Sequence, residues 1–479
     1  MPRWIFGHLL KHSRMRFKNK FKYNTVAILL VGIGYGIYSQ FFYTPENFDQ
    51  KTRRLPNEIA NVLKLSERVL KNPALKKEAI YALRKTLRDF SSNNDLISAL
   101  NHFAQNALLS SSEQIQIKEV DDERGSSQDR VFRVMDIKAD RLIAIIKIFK
   151  ETSDNFLPEI YALRLLNETK FQHFCSPELH MLGRCCVQEE RYLLLCESAA
   201  PGRSLLYTYK ESDLQTLLNG LYACGKSLAE LHVYARGQPQ SLPKPLETKT
   251  RAYLAQAIEN LNKYPQRGID PEKVREMFET IVAKVKSQQT LSGIIHGDTK
   301  LINVFFDPKT GIAPWIDPPK LPDSIDAMGN SIGVPAKDFY SFIADIDYQQ
   351  EKYVLNSQGE AALQRIRSMS EVEQLKASFI SGYKEGKGIL PSKEELEFFS
   401  FAADLYFIAM AEFDLYPKMT EPSRSSKIYR LNKTYDNLRA RLGKAKGEKL
   451  KAKAKGWPSS LFWEKCLSLF ITIFNKAQI

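Results

Sequence analysis

One segment of this 479-residue chain limits its fold and chemistry more than any other: residues 296–320, HGDTKLINVFFDPKTGIAPWIDPPK. A loop presents the carboxylate of Asp298 and then the amide of Asn303, and it is followed by a short strand, a DPKTG turn and a second strand. Because such a tight hairpin reverses the chain, we expect Asp317, at its end, to lie close to Asn303.

A cluster of this composition suits phosphoryl transfer. Mg²⁺ prefers oxygen ligands, and it neutralises charge on nucleotide phosphates. Asn303 and Asp317 are the candidates for binding it. A separate carboxylate must accept or orient the proton of the attacking hydroxyl, and Asp298 is the candidate for that role. The segment therefore predicts a site for Mg²⁺-dependent phosphoryl transfer from a nucleotide.

The pattern HGDxxxxN, followed after a hairpin by a hydrophobic residue and Asp317, resembles the aminoglycoside phosphotransferase and choline kinase family of the protein-kinase-like superfamily. Further similarities follow in the same order over roughly residues 115–420. The resemblance implies an α+β, two-lobed protein-kinase-like fold, with a small antiparallel sheet lobe and a larger helical lobe. It also implies a kinase that transfers phosphate from ATP, with Mg²⁺, to an alcohol group.

In the first lobe, the resemblance implies roles for several nucleotide-binding residues. RGSSQDRVFRV resembles the reduced glycine loop of the family and places Gly125 and Ser127 at the phosphates. AIIKIF places Lys147 at the position of the phosphate-binding lysine, and Glu159 falls where the helix-borne partner of that lysine is expected.

The resemblance continues on both sides of the central motif. YLLLCESAAPGRSL resembles the strand that leads to the hinge, so that Glu197 to Ala199 would border the adenine through backbone groups. SLAELH, ending at His232, resembles the helix before the catalytic loop. PAKDFYSF places Asp338 where the family has a buried aspartate that supports the loop.

Two features depart from the family pattern. Two prolines follow Asp317 and stiffen that segment, because each fixes its φ angle. Lys300, two residues after Asp298, is more typical of protein kinases, where a lysine contacts the transferred phosphate; a solvated loop lysine is the equal alternative. For His296 we expect a structural role, since the proposed base is a carboxylate.

A second phosphate-binding pattern is present but lacks the structural context it needs. Residues 220–227, GLYACGKS, match GxxxxGK[ST]. That motif requires a strand before the loop, so that backbone N–H groups wrap the phosphates at the start of a helix. The flanking residues have helical spacing instead and predict one continuous helix over 213–233. We therefore do not expect Lys226 to bind a nucleotide.

The net charge of +14 is concentrated in two tails. Residues 1–22 hold seven Lys/Arg and no acid, and residues 439–455 hold eight Lys/Arg and one Glu. The rest of the chain is neutral overall, so a nucleic-acid-binding surface is not indicated. No CxxC pair occurs among the six cysteines, which is typical of free thiols in a reducing compartment.

The tails point to a membrane. Residues 23–45 carry no charge and are long enough for an uncleaved transmembrane anchor, with a signal or transit peptide as the alternative. The second basic tract runs into residues 461–474, either an amphipathic membrane-surface helix or a helix packed on the protein. The basic N-terminus predicts a translocated catalytic domain, whereas ATP supply and free cysteines favour the cytoplasmic side, which we expect.

These observations predict a single-pass membrane phosphotransferase whose substrate is a hydroxyl of a small molecule or of a lipid head group. A membrane-associated protein kinase and an inactive kinase-fold scaffold are the alternatives. The predicted regions are a basic tail (1–22), the anchor (23–45), a helical region (46–112), the small lobe (113–200), the large lobe (201–438) and a polybasic tract with an amphipathic helix (439–479).

Overall fold

The computed structural model describes residues 61–62, 64–66, 68–69, 75–91, 95–108, 115–120, 130–153, 155–169, 171–211, 213–234, 236–237, 239–264, 268–317, 324, 333–411, 419–421 and 423–455. The chain divides into two compact units, Met1–Ala60 and Asn61–Ile479, and the described residues belong to the second. The predicted anchor over 23–45 and the helix over 461–474 lie outside them. Within the described ranges, no helix has the length and hydropathy needed to cross a bilayer.

A five-stranded antiparallel sheet carries the first part of the site, with strand order β1-β2-β3-β5-β4. The sequence predicts strands over 114–120, 130–137, 141–149, 180–188 and 191–197, and a helix over 156–168. The strands are confirmed, each to within one residue at its ends. The strands are β1 Ile115–Glu119, β2 Arg130–Asp136, β3 Arg141–Lys150, β4 Leu179–Val187 and β5 Glu190–Ser198.

Side chains of β3 point alternately to the two faces of the sheet, and those on one face are buried in the core. Ala144, Ile146 and Ile148 are buried in one cluster with residues of helix α2 (Leu96–Leu108), which follows helix α1 (Lys76–Thr86). Successive side chains of a strand point to opposite faces, so Lys147 projects from the face away from this cluster. The position of Lys147 therefore follows directly from the period-two pattern.

Helix α3, Phe156–Glu168, connects β3 to β4 and matches the predicted bounds. Its first residue, Phe156, packs edge-to-face against Phe149 near the end of β3, with ring centroids 5.3 Å apart. This contact fixes the first turn of the helix next to the strand that carries Lys147. Glu159 lies in that turn.

The remainder of the described chain is mostly helical, as predicted. Two cores form there, one in which Trp315, Phe342 and Phe379 are buried and one between α6, α7, α10 and α11. The helices are α4 Leu205–Glu211, α5 Leu214–Tyr234, α6 Lys244–Lys263, α7 Pro271–Lys286, α8 Pro335–Gln349, α9 Met369–Glu385, α10 Lys393–Ala409 and α11 Ser423–Lys455.

Helices α5 and α9 cross with their backbones in contact. A Cβ atom on Gly225 would lie 2.1 Å from the carbonyl oxygen of Phe379, and one on Gly382 would lie 2.0 Å from that of Tyr222. Only glycine permits so close an approach. The GLYACGKS segment therefore lies within a continuous helix, as expected, and Gly225 serves helix packing.

The segment at the centre of the site departs from the prediction in one respect. Strand β7 (Phe305–Phe306) pairs with β6 (Arg203–Ser204), and a 3-10 turn over Leu301–Asn303 precedes it. The predicted second strand over 312–316 is wrong as a continuous strand, since only the isolated bridges Val304–Trp315 and Asp307–Ile312 form. The imino nitrogen of Pro314 cannot donate a ladder hydrogen bond, which interrupts the pairing.

One hairpin was not predicted. Strands β8 (Glu351–Leu355) and β9 (Ala361–Arg365) pair after the end of α8, within a region that we expected to be helical. The turn is closed by Asn356, whose Oδ1 accepts hydrogen bonds from Gln358 N and Glu360 N. Asn and Gly in the sequence NSQG were the local signal.

Candidate active site

The ammonium group of Lys147 lies at the centre of a cluster of three carboxylates, on the face of the sheet that points away from α2. Its Nζ lies 2.7 Å from Glu159 Oε1, 3.0 Å from Asp317 Oδ1 and 3.2 Å from Glu197 Oε1. The side chain is only 9% exposed. One buried cation thus joins α3, β5 and the end of the hairpin segment, which is 170 residues away along the chain.

The electrostatics of this cluster favour a charged lysine. Burial lowers the pKa of Lys147, but the charges of Glu159, Glu197 and Asp317 outweigh it and hold that pKa well above its ordinary value. For Glu197 burial dominates and raises the pKa of the carboxyl to about 7. Three carboxylates around one ammonium give the site a negative charge that a divalent cation would offset.

The position of the Glu197 side chain was not foreseen. We expected Glu197 and Ala199 to act through backbone groups at the end of β5. In the sheet Glu197 pairs with Ile145, two residues before Lys147, so its side chain lies on the same face as the ammonium. Among the described residues, Oε2 of Glu197 has no hydrogen-bond partner. Ala199 N donates to Ile143 O at 3.3 Å.

Asp338 holds the loop that contains Asp298. Its carboxylate, 1% exposed, accepts hydrogen bonds from the backbone N atoms of His296 (2.5 Å) and Gly297 (2.9 Å). It also accepts from Nε2 of His232 at 3.1 Å. Burial alone would raise the pKa of Asp338, but the hydrogen bond and charge of His232 outweigh it, so this pKa lies below its usual value.

Within the loop, Asp298 is fixed by two neighbours. Asn303 Nδ2 donates to the backbone oxygen of Asp298 at 2.9 Å and to its Oδ2 at 3.2 Å. Lys300 Nζ lies 2.6 Å from Oδ1 of the same carboxylate, and both side chains remain accessible, at 53% and 29% exposure. The geometry leaves room for a hydroxyl to approach Asp298.

The hairpin brings Asp317 back to this loop, as the sequence predicts. Ile316 N donates to Asn303 O at 2.9 Å, and His296 Nε2 donates to Ile316 O at 3.1 Å. His296 thus holds backbone, and burial lowers its pKa and keeps it neutral. Asp317 has a φ of +56°, which is uncommon for a residue followed by proline and typical of functional segments.

The residues present fit a nucleotide with Mg²⁺. Because the Asn303 amide nitrogen is bound to Asp298, the amide oxygen is left as a potential ligand. The backbone of Asn303 is hydrogen-bonded to Ile316, the residue before the half-exposed Asp317. Amide and carboxylate oxygens are the ligands that Mg²⁺ selects. Lys147 supplies a positive charge for phosphate oxygens on the side of the sheet.

The remaining predicted residues divide into two groups. Gly125 and Ser127 lie outside the described residues. Lys226 lies on α5, and its Nζ is 2.9 Å from Glu385 Oε1 of the neighbouring helix α9. Sequence reasoning also missed Asp345, which accepts a hydrogen bond from Leu301 N of the catalytic loop at 2.8 Å.

No protein-family model matches the sequence of this chain. No curated protein matches it either.

Comparison of the structure with solved structures gave several similar folds at low identity. A glucosamine kinase in complex with glucosamine, ADP and inorganic phosphate has 12% sequence identity and a TM-score of 0.44, and the match covers 73% of this chain and 84% of that kinase. A GDP complex of aminoglycoside 2'-phosphotransferase-IIIa has 12% identity and a TM-score of 0.41, with 71% of this chain and 98% of that protein covered. Choline kinase from Cryptosporidium parvum has 13% identity and a TM-score of 0.38, with 71% of this chain and 92% of that protein covered. An aminoglycoside phosphotransferase and a choline kinase, the two kinds of protein whose motifs this sequence resembles, are therefore among the solved structures with a similar fold.

Proposed function

We propose that the chain is an ATP- and Mg²⁺-dependent phosphotransferase with a two-lobed kinase-like arrangement, acting on a hydroxyl of a small molecule or of a lipid head group at a membrane. One observation carries the proposal. The ammonium of Lys147 lies within 3.0 Å of both Glu159, which follows it by 12 residues, and Asp317, which follows it by 170. A purely structural ion pair has no need for the adjoining loop of Asp298 and Asn303.

Each residue has a role in this proposal. Lys147, oriented by Glu159, would bind phosphate oxygens of ATP, and Asn303 and Asp317 would hold Mg²⁺, which would neutralise charge on the phosphates. Asp298 accepts the proton of the acceptor hydroxyl. The acceptor oxygen bonds to the γ-phosphorus, the bond from that phosphorus to the β,γ-bridging oxygen breaks, and ADP leaves with the electron pair.

The test is a phosphotransfer screen with labelled ATP across sugars, amino alcohols, lipids and peptides, with Asp298→Asn as the blank. We expect Mg²⁺-dependent ATP binding by both proteins and transfer by the wild type alone. Identical transfer by both proteins would overturn the proposal. Failure to bind Mg-ATP would favour the inactive scaffold instead.

A protein kinase is the second candidate, and one contact favours it. Lys300 Nζ is 2.6 Å from Asp298 Oδ1, beside the position of the attacking hydroxyl. Preferred transfer to peptides in the same screen would select this candidate.

The membrane part of the proposal rests on the uncharged run 23–45 and the two basic tails. We propose a single-pass protein with its catalytic region in the cytoplasm, where ATP is available. Protease protection of tagged ends in sealed vesicles tests this. Protection of the C-terminal tag inside vesicles whose lumen is the non-cytoplasmic side would contradict it.

A further inference from the structure

The guanidinium of Arg430 is stacked between two aromatic rings in the helical region. Its Cζ lies 3.6 Å from the ring centroid of Phe407 on α10 and 4.2 Å from that of Tyr348 on α8. Arg430 itself belongs to α11 and is partly buried. Contacts with two aromatic rings restrain the guanidinium, which keeps the planar fork of donors that suits a carboxylate or phosphate.

The charge of Arg430 is poorly compensated by the protein. Within the ranges that the structure describes, no acidic side chain forms an ion pair with it, although Tyr348 hydrogen-bonds to it. Burial lowers the pKa of Arg430 more than its neighbours raise it. An arginine stays protonated in proteins, and a partly buried cation of this kind gains free energy when an anion binds to it.

The position of Arg430 connects it to the catalytic loop. Tyr348 follows Asp345 by about one turn of α8, so both face the same side of the helix. Asp345 Oδ2 accepts the hydrogen bond of Leu301 N at 2.8 Å. The charges of Lys300 and Arg430 both act on Asp345, so both cations lie within electrostatic range of this carboxylate.

These contacts set the scale of the distance between the Arg430 guanidinium and the loop that carries Asp298. One helical turn rises about 5.4 Å, and the ring contact adds a similar distance. The guanidinium is therefore on the order of 10 Å from the loop that carries Asp298. That is the span of one small acceptor molecule with a hydroxyl at one end and a charged group at the other.

Asp345 is the alternative recognition group, for a cation, but its oxygens are already engaged. Oδ2 binds Leu301 N, and Oδ1 accepts from Gln349 Nε2 at 3.2 Å. Burial also raises the pKa of this carboxyl. The space between the two rings, where an ammonium ligand would be bound by cation–π contacts, already holds the chain's own guanidinium.

We propose that Arg430 binds an anionic group, phosphate or carboxylate, of the acceptor. This inference rests on the proposed phosphotransferase function and specifies its acceptor class: an alcohol that also bears a negative charge, rather than an amino alcohol or amino sugar. A soluble sugar phosphate and the phosphodiester of a lipid head group share this chemistry, and the test separates them.

The full-length protein is assayed with labelled ATP on matched acceptors. The soluble arm compares glycerol 3-phosphate with choline, and glucose 6-phosphate with glucosamine. The lipid arm compares phosphatidylcholine vesicles with and without phosphatidylinositol. We expect transfer only to anionic alcohols, and the arm in which it occurs identifies the source of the anion.

Variants of Arg430 complete the test. Arg430→Met removes the charge but keeps a long stem between the rings, and we expect it to raise KM for the anionic acceptor by roughly 10- to 100-fold. Arg430→Lys keeps the charge without the planar fork, and its acceptor KM should lie between those of wild type and Arg430→Met. KM for Mg-ATP should not change in either variant. Arg439→Met, at a half-exposed position of the same helix, is the matched control and should behave as wild type.

Three results would overturn the inference: preferred phosphorylation of choline or glucosamine, an unchanged acceptor KM in Arg430→Met, or no transfer to any anionic alcohol. In each case Asp298-dependent ATP hydrolysis would show that the phosphotransferase proposal still stands. ATP hydrolysis that does not depend on Asp298 would instead contradict the proposed phosphotransferase function itself.

Discussion

The carboxylate of Glu197 lies 3.2 Å from the ammonium of Lys147, with both side chains buried on the same face of the sheet. Glu197 is the third carboxylate around this lysine, after Glu159 and Asp317. Its side chain is the most buried of the three, 3% exposed against 17% for Glu159 and 54% for Asp317. Burial disfavours the ionised form of Glu197, and the consequences are measurable.

Replacing Glu197 by Gln should stabilise the protein at neutral and alkaline pH. Burial raises the pKa of Glu197 to about 7 in the folded state, above its value in the unfolded chain, so the unfolded state releases this proton first. Stability is therefore lost as pH rises from about 4.5 and the loss levels off above about pH 7, whereas Gln does not titrate.

The measurement is urea unfolding of both proteins between pH 5 and pH 8. The variant should gain roughly 1–3 kcal/mol relative to wild type over this interval, with little difference at the acid end. A difference that is constant with pH would show that Glu197 does not titrate as its burial requires.

Asp298→Asn should abolish phosphoryl transfer without loss of nucleotide binding. The amide keeps the shape of the carboxylate and its contact with Asn303, but it cannot accept a proton. We expect kcat to fall by roughly 10²- to 10⁴-fold, with Mg-ATP affinity unchanged by calorimetry. Lys300→Met is the companion variant, since its ammonium lies 2.6 Å from the same carboxylate. A kcat for Asp298→Asn near that of wild type would assign the base to another residue.

Local sequence patterns predicted the parts of this fold that depend on short-range physics. The period of two in β3 and the apolar spacing of α3 gave bounds within one residue of those observed. The ordered motif residues, Lys147, Glu159 and Asp317, also meet in space. Their meeting was predictable from the family resemblance, but not from spacing alone.

Features that depend on the register between distant segments were not predictable. The Glu197 side chain reaches Lys147 because β5 pairs with β3 in one register, and a shift of one residue would turn it to the other face. Likewise, Arg430 meets Tyr348 only because α11 packs back across the end of α8. Neither contact leaves a signal in the residues around it.

Asp338 should act as a positioning residue, through the loop that it holds. Asp338→Ala would leave the N–H groups of His296 and Gly297 and the ring of His232 without their common acceptor. We expect a loss of about 3–5 kcal/mol in the free energy of unfolding. Asp338→Asn keeps one acceptor oxygen and should lose less.

The pH dependence gives a second readout for Asp338. Because the pKa of this carboxyl is lowered in the folded state, its contribution is present above the unfolded pKa and is lost as pH falls through the folded value. Wild type and Asp338→Asn should therefore converge in stability at acid pH. A gap that does not narrow as the pH falls below the unfolded pKa of about 3.9 would contradict the role assigned to the charge.

The GLYACGKS segment offers a contrast between a sequence motif and its structural context. Lys226 contacts Glu385 across the α5–α9 interface at 2.9 Å, on a helix that has no strand before it. Lys226→Ala should leave Mg-ATP affinity unchanged and reduce stability by less than about 1 kcal/mol, as for an exposed ion pair. Lys147→Ala should reduce that affinity by at least tenfold, about 1.4 kcal/mol, because it removes the cation that pairs with Glu159, Glu197 and Asp317. Gly225→Ala should destabilise strongly without touching the site, since its Cβ would lie 2.1 Å from the carbonyl oxygen of Phe379. If instead Lys226→Ala abolished nucleotide binding and Lys147→Ala preserved it, the nucleotide site would lie at α5 and the assignment of the cleft would fall.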